Sequence, residues 1–203
     1  MRKLLVCVFA FVFSMASLNA QDGNAPIRFG AKAGVNFSDI TGDMTDSFTG
    51  RTAFHVGVLA EIPLSESFAI QPELIYSSQG SDYEDEFDGF SFDGTVKVDF
   101  LNIPVMAKYF VADGFTVEAG PQIGILLSAK DEYDGGDDDI KDFVKGIDFG
   151  VNFGLGYQLD NGLNFAARYN LGLTDLNDSP ADSFDSSEYR NSVIQLSVGY
   201  FFN

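Results

Sequence analysis

Hydrophobic and polar residues alternate along most of this 203-residue chain, with the period of two that belongs to β-strands. In segment 28–38, Phe29, Ala31, Ala33, Val35 and Phe37 share one face, while Gly30, Lys32, Gly34 and Asn36 share the other. Segment 53–63 sets Phe54, Val56, Val58, Ala60 and Ile62 against His55, Gly57, Leu59 and Glu61, and segment 67–78 sets Ile70, Pro72, Leu74 and Tyr76 against Gln71, Glu73 and Ser77. Segments 100–109, 115–128, 147–158, 163–174 and 191–203 repeat the pattern, and their polar faces carry Lys108, Glu118, Gln122, Ser128, Asp148, Asn152, Arg168 and Gln195. Eight strands are therefore predicted. Most reach the roughly 9–11 residues that a tilted bilayer crossing needs. Pro72 and Pro104 fall inside strands, where each removes a ladder donor, and are expected to mark bulges.

The connections add order to the strands. Those at about 64–67, 111–114 and 160–162 are short, and Asp160-Asn161-Gly162 is a hairpin signal. Those at about 39–50, 79–95, 129–146 and 175–190 are long. Long and short alternate strictly, which is the layout of outer-membrane barrels. The polar face is rich in glycine and thin in charge, unlike a surface that meets water, and it suits the cramped interior of an eight-stranded barrel. The apolar face carries Phe54, Tyr76, Tyr109, Phe115, Tyr157, Tyr169, Tyr200 and Phe202, many near strand ends, as interfacial aromatic girdles do. The expected fold is all-β: an eight-stranded antiparallel up-and-down transmembrane β-barrel over 21–203. The soluble alternative is a secreted lipocalin-like binder, in which the faces are reversed.

Residues 1–20 stand apart. Arg2 and Lys3 precede an apolar run from Leu4 to Met15, and Ser17-Leu18-Asn19-Ala20 follows it, which is the three-part pattern of a cleaved signal peptide. Cleavage after Ala20 moves the net charge from −18 to −20 and removes Cys7, the only cysteine. Disulfides and thiolate chemistry are thereby excluded from the mature chain. Its acidity is the opposite of a nucleic-acid footprint. No later apolar run is long enough for a membrane helix, so a membrane crossing would have to be made by a closed barrel.

Several motifs stand in a recognisable order: Gln71-Pro72-Glu73-Leu74-Ile75-Tyr76, Leu101-Asn102-Ile103-Pro104-Val105, Ala119-Gly120-Pro121-Gln122-Ile123-Gly124, Arg168-Tyr169-Asn170-Leu171-Gly172-Leu173 and the closing Gly199-Tyr200-Phe201-Phe202-Asn203. The mature chain resembles the PorT-like, porin-family outer membrane beta-barrel proteins of the Bacteroidota, and more distantly the OmpA and OmpX barrels. The resemblance implies an outer-membrane location, contact with outer-membrane lipid and lipopolysaccharide, and handling by the barrel-assembly machinery through the aromatic C-terminus. It implies fold and place more than activity.

Charged residues assigned to the interior are Lys32, Glu61, Glu73, Lys108, Glu118, Asp148 and Arg168. Buried charges must be paired, so a lumen-filling network of ion pairs is expected, with a narrow solute channel as the alternative. His55 is the only histidine, and no Gly-x-Ser-x-Gly elbow accompanies it. No catalytic residue and no cofactor are expected. The long connections hold 21 of the 30 acidic residues. Asp134, Asp137, Asp138 and Asp139 are a weak Ca²⁺ candidate, because the ion favours several oxygen ligands; the simpler expectation is solvated loops kept soluble by charge. The functional expectation is a non-enzymatic, surface-exposed barrel with acidic external loops.

Overall fold

The computed structural model describes residues 26–43, 45, 47–87, 90–178 and 188–202. The expected signal peptide lies outside them. Nine strands follow in chain order: β1 (Arg28–Gly42), β2 (Phe48–Pro63), β3 (Phe68–Phe87), β4 (Phe90–Ala112), β5 (Phe115–Tyr133), β6 (Gly136–Asp139), β7 (Ile147–Gln158), β8 (Leu163–Gly172) and β9 (Tyr189–Phe202). Eight of them form a ring of antiparallel neighbours in the order β1-β2-β3-β4-β5-β7-β8-β9, closed by the β1–β9 ladder. The short β6 pairs only with β5, beyond the ring. Closure removes every free edge from the ring, which is the condition for a sheet to cross lipid.

Side chains alternate across this wall in the expected sense. Phe54, Val58, Phe153 and Phe202 are each more than half exposed, whereas Asn36, His55 and Glu61 are at most 1% exposed. A water-soluble barrel would show the reverse, so an apolar solvent has to surround this one. Phe115 and Tyr157, and Tyr200 and Phe202, form ring pairs at 6.2 and 6.0 Å near the short-turn end, as an interfacial girdle requires.

Two expectations are corrected. Pro72 and Pro104 mark no bulge. The β2–β3 ladder skips Pro72 but resumes in the same register, from Leu59↔Glu73 to Ile62↔Ile70, and the β3–β4 ladder does the same from Pro72↔Val105 to Ile75↔Asn102. A missing N–H costs one bond on one side and leaves the strand straight. Register shifts occur instead between Gly50 and His55, Asp99 and Phe100, and Phe110 and Ala112. The shift at Asp99 places an extra residue on β5, so Ala129 is fully buried there and Ser128 only half-buried.

The long connections are also less loop-like than expected. Pairing of β3 with β4 runs without a break from Ile75↔Asn102 to Phe87↔Phe90. At 20 and 23 residues these strands exceed a bilayer crossing about twofold. The Thr95-Val96-Lys97-Val98-Asp99-Phe100 alternation continues the strand beneath its acidic composition.

Candidate functional site in the barrel lumen

The inward side chains fall into three layers. At the short-turn end, Arg168 on β8 reaches Glu73 on β3 at 2.8 Å and Glu118 on β5 at 2.7 Å. Lys32 on β1 meets Glu73 at 2.7 Å, and Lys108 on β4 meets Glu61 on β2 at 2.8 Å and Glu118 at 3.7 Å. Arg28 closes the chain on Glu61. Gln71 donates to Glu73 Oε1 at 2.6 Å and accepts from Lys108 Nζ at 3.1 Å. Strand alternation explains the convergence: each of these residues has inward parity on a different strand near the same height. The cavity left among Lys32, Gln71, Lys108, Glu118, Arg168 and Ser197 measures about 10 Å³, room for about one water.

Lys32, Glu73, Lys108, Glu118 and Arg168 thus lie together, while Asp148 does not join them. It sits nearer the long-connection end and has no cationic partner among the described residues; its Oδ2 accepts from Asn191 Nδ2 at 3.2 Å. Arg28 was missed, and Gln71, although placed on the polar face, was not counted in the network. Parity alone could have found both, since Arg28 shares the face of Lys32 and Gln71 that of Glu73.

The middle layer is neutral. Asn36 Nδ2 donates to Ser78 O at 2.7 Å and Ser77 Oγ at 3.0 Å, which turns its Oδ1 towards His55 Nδ1 at 2.8 Å and Gln195 Nε2 at 3.1 Å. His55 must then donate from Nδ1, and its Nε2 accepts from Ser197 Oγ at 2.8 Å. Hydroxyl, imidazole and amide stand in the relay order that activates a serine nucleophile. Ser197 nevertheless faces the 10 Å³ cavity. The apolar groove on the outer wall beside it runs along Leu155, Phe165, Leu196 and Val198, on the opposite side of the sheet from the hydroxyl. Ser197 itself borders both spaces, and His55 holds its hydroxyl on the lumen side.

The third layer is apolar. Val98, Phe100, Leu126, Ala129 and Leu176 form a buried cluster, with Val96, Ile140, Val144 and Tyr189 packed against it. Leu176 comes from the β8–β9 connection, which is tied to the β5–β7 connection by Lys145 N to Leu176 O at 2.9 Å, Asp178 N to Phe143 O at 3.0 Å and the Val144↔Asn177 bridge.

The Ca²⁺ candidate is not assembled. Asp137 meets Lys130 at 2.5 Å, Asp138 accepts from Tyr133 at 3.0 Å and Asp139 accepts from Lys141 N at 3.0 Å. The alternation of β6 sends neighbouring carboxylates to opposite faces. Among the described residues no group of three or more carboxylate, histidine or cysteine side chains is placed to hold an ion.

A closed eight-strand ring with polar residues inside and an apolar belt outside defines an outer-membrane protein by its physics, and the comparisons agree. The sequence pattern of the outer membrane protein beta-barrel domain matches residues 19–178. The chain belongs to that family. No curated protein matches it by sequence. Among solved structures, Neisserial surface protein A is similar at TM-score 0.53 and 12% identity, covering 86% of this chain and 97% of that one. Ail, the attachment invasion locus protein of Yersinia pestis, solved with the heparin analogue sucrose octasulfate, is similar at TM-score 0.50 and 13% identity, covering 87% and 99%. At such identities the likeness concerns the fold.

Proposed function

We propose that this outer-membrane protein is a non-conducting, non-enzymatic barrel whose short turns face the periplasm and which acts through its outer end, where the long connections lie. One observation carries the reading: three stacked layers occupy the lumen, and the ionic layer leaves a cavity of about 10 Å³. A hydrated ion would have to break buried ion pairs and displace the apolar cluster to pass. The outer end is anionic; Lys97, Lys130, Lys145 and Arg190 already face Glu132, Asp137, Asp175 and Glu188, and Lys141 and Arg51 donate to backbone oxygens. A polyanion therefore finds few free cations there, and contact with lipopolysaccharide falls to the barrel wall and to hydrogen-bonding groups of the connections. Processing after Ala20, recognition of the aromatic C-terminus by assembly machinery, and membership of the PorT-like group belong to the same proposal. Planar-bilayer recording on the folded protein tests it. No unitary conductance is expected, and steady single-channel steps would replace the proposal with the channel reading.

A further inference from the structure

Between the apolar cluster and the amide layer lies a further polar site. Asn191 on β9 reaches Asp148 on β7 at 3.2 Å, spanning the intervening β8. The contact is possible because the residues beneath it, Gly150 and Gly172, pair with each other and carry no side chains. Asn170 borders the same hollow: a β-carbon at Gly150 would stand 3.0 Å from its Nδ2 and 3.5 Å from its Oδ1. Phe100 of the apolar cluster closes the other side. A β-carbon at Gly124 would lie 3.2 Å from its ring and 3.5 Å from Asp148 Cβ.

Asp148, Asn170 and Asn191 are 4%, 2% and 1% exposed, and in each of them Oδ1 is buried without a hydrogen-bond donor. Three acceptor oxygens without a donor, one of them on a carboxylate that otherwise takes hydrogen bonds from Asn191 and Thr174, attract positive charge. Leaving them bare is costly. The lower layer offers no relief, since its cations are engaged by Glu61, Glu73 and Glu118.

We propose that Asp148, Asn170 and Asn191 form an internal site for a single alkali cation, with Na⁺ the natural occupant. An all-oxygen donor set selects a hard cation. One carboxylate and two neutral carboxamides balance a charge of one, whereas Ca²⁺ draws on six to eight oxygens, commonly from several carboxylates. The ion joins β7, β8 and β9 beneath the apolar cluster and neutralises Asp148 where water is scarce.

The test uses the purified, folded barrel in detergent at pH 8, with NaCl exchanged against N-methylglucamine chloride at constant ionic strength. Na⁺ is expected to raise the unfolding temperature by several degrees in a saturable way, as a ligand bound only by the native state does, and to broaden the ²³Na resonance. Asp148→Asn is expected to remove both effects. Equal unfolding temperatures and unbroadened ²³Na lines in wild type would overturn the site and leave water as the occupant. A Na⁺ effect that persists in Asp148→Asn would assign it to the acidic connections, which also overturns it. Should that variant fail to fold, Asn170→Ala, which keeps the carboxylate, must weaken the saturation midpoint at least severalfold for the site to stand. Conductance plays no part, so the site and the closed-lumen reading fail separately.

Discussion

Arg168 is the residue on which the ionic layer turns. It engages Glu73 and Glu118 from a side chain only 2% exposed, and its Nε and Nη2 both donate to Glu118 Oε2, at 2.9 and 2.7 Å. Arg168→Met removes the guanidinium and leaves two buried carboxylates sharing the two lysines that remain. Breaking a buried pair from one side costs about 3–5 kcal/mol, and equilibrium urea unfolding in lipid or detergent is expected to show a loss of that order. Arg168→Lys keeps the charge but not the fork, so it should recover part of the loss. Stability equal to wild type in the methionine variant would show that the layer contributes nothing net.

A second residue shows how a connection is held. Asp175 Oδ1 accepts from Asn177 N at 3.1 Å and Tyr189 N at 3.0 Å, and its Oδ2 faces Lys145 at 3.3 Å. Burial alone would raise this carboxyl, but the two backbone N–H groups and the ammonium outweigh it and hold its pKa below the ordinary 3.8. A carboxylate whose folded pKa is depressed stabilises above its unfolded value, and that stability is lost as pH falls through the folded pKa. The contact between the β5–β7 and β8–β9 connections is therefore expected to be intact at neutral pH and to loosen below about pH 3.8. Hydrogen exchange of the Leu176 and Tyr189 amides against pH measures it, and Asp175→Asn should flatten the profile.

At the scale of elements, the β3–β4 hairpin separates what lies in the membrane from what stands above it. Its outer part pairs Tyr83 with Gly94 and Glu84 with Asp93, well past the length that a crossing needs. Replacing residues 84–93 with Asn-Gly, so that a two-residue turn joins Tyr83 to Gly94, shortens the β3–β4 ladder only at its outer end. The shortened protein is expected to insert and to keep its heat-modifiable mobility on a gel, with little change in unfolding midpoint. Loss of the folded band would mean that the outer hairpin guides assembly. The same hairpin shows why the sequence misled. Acidic residues and Gly94 read as loop, but a sheet that meets water on one side needs only its other face buried, and Val98 and Phe100 are buried with Val96 packed against them.

For the whole molecule, ring closure decides stability and location together. The β1–β9 ladder runs over 14 residue pairs, from Phe29↔Phe202 to Gly42↔Tyr189, so neither terminal strand is left as an edge. Such closure predicts that unboiled protein migrates as a compact species distinct from the boiled form; a single mobility under both conditions would contradict a closed ring.

The number of strands in the ring, the places of the short turns and the sorting of side chains into two faces were determined by the sequence alone, whereas the short β6 and the outer extension of β3 and β4 were not. A period of two is local: parity along a strand assigns a face whatever the partners are. That is why Lys32, Glu73, Lys108, Glu118 and Arg168 could be placed inside before any pairing was known. What only the tertiary structure decided is the height and neighbourhood of those residues. Register and shear bring six of the predicted seven to one layer and lift Asp148 into another beside Asn170 and Asn191. The extra residue at Asp99/Phe100, which exchanges Ser128 for Ala129 at the wall, has no local signal, because a bulge is defined by two strands at once. The apolar cluster over the lumen depends likewise on Leu176 folding back onto β4 and β5, a contact between segments some 50 to 80 residues apart that no period along the chain records.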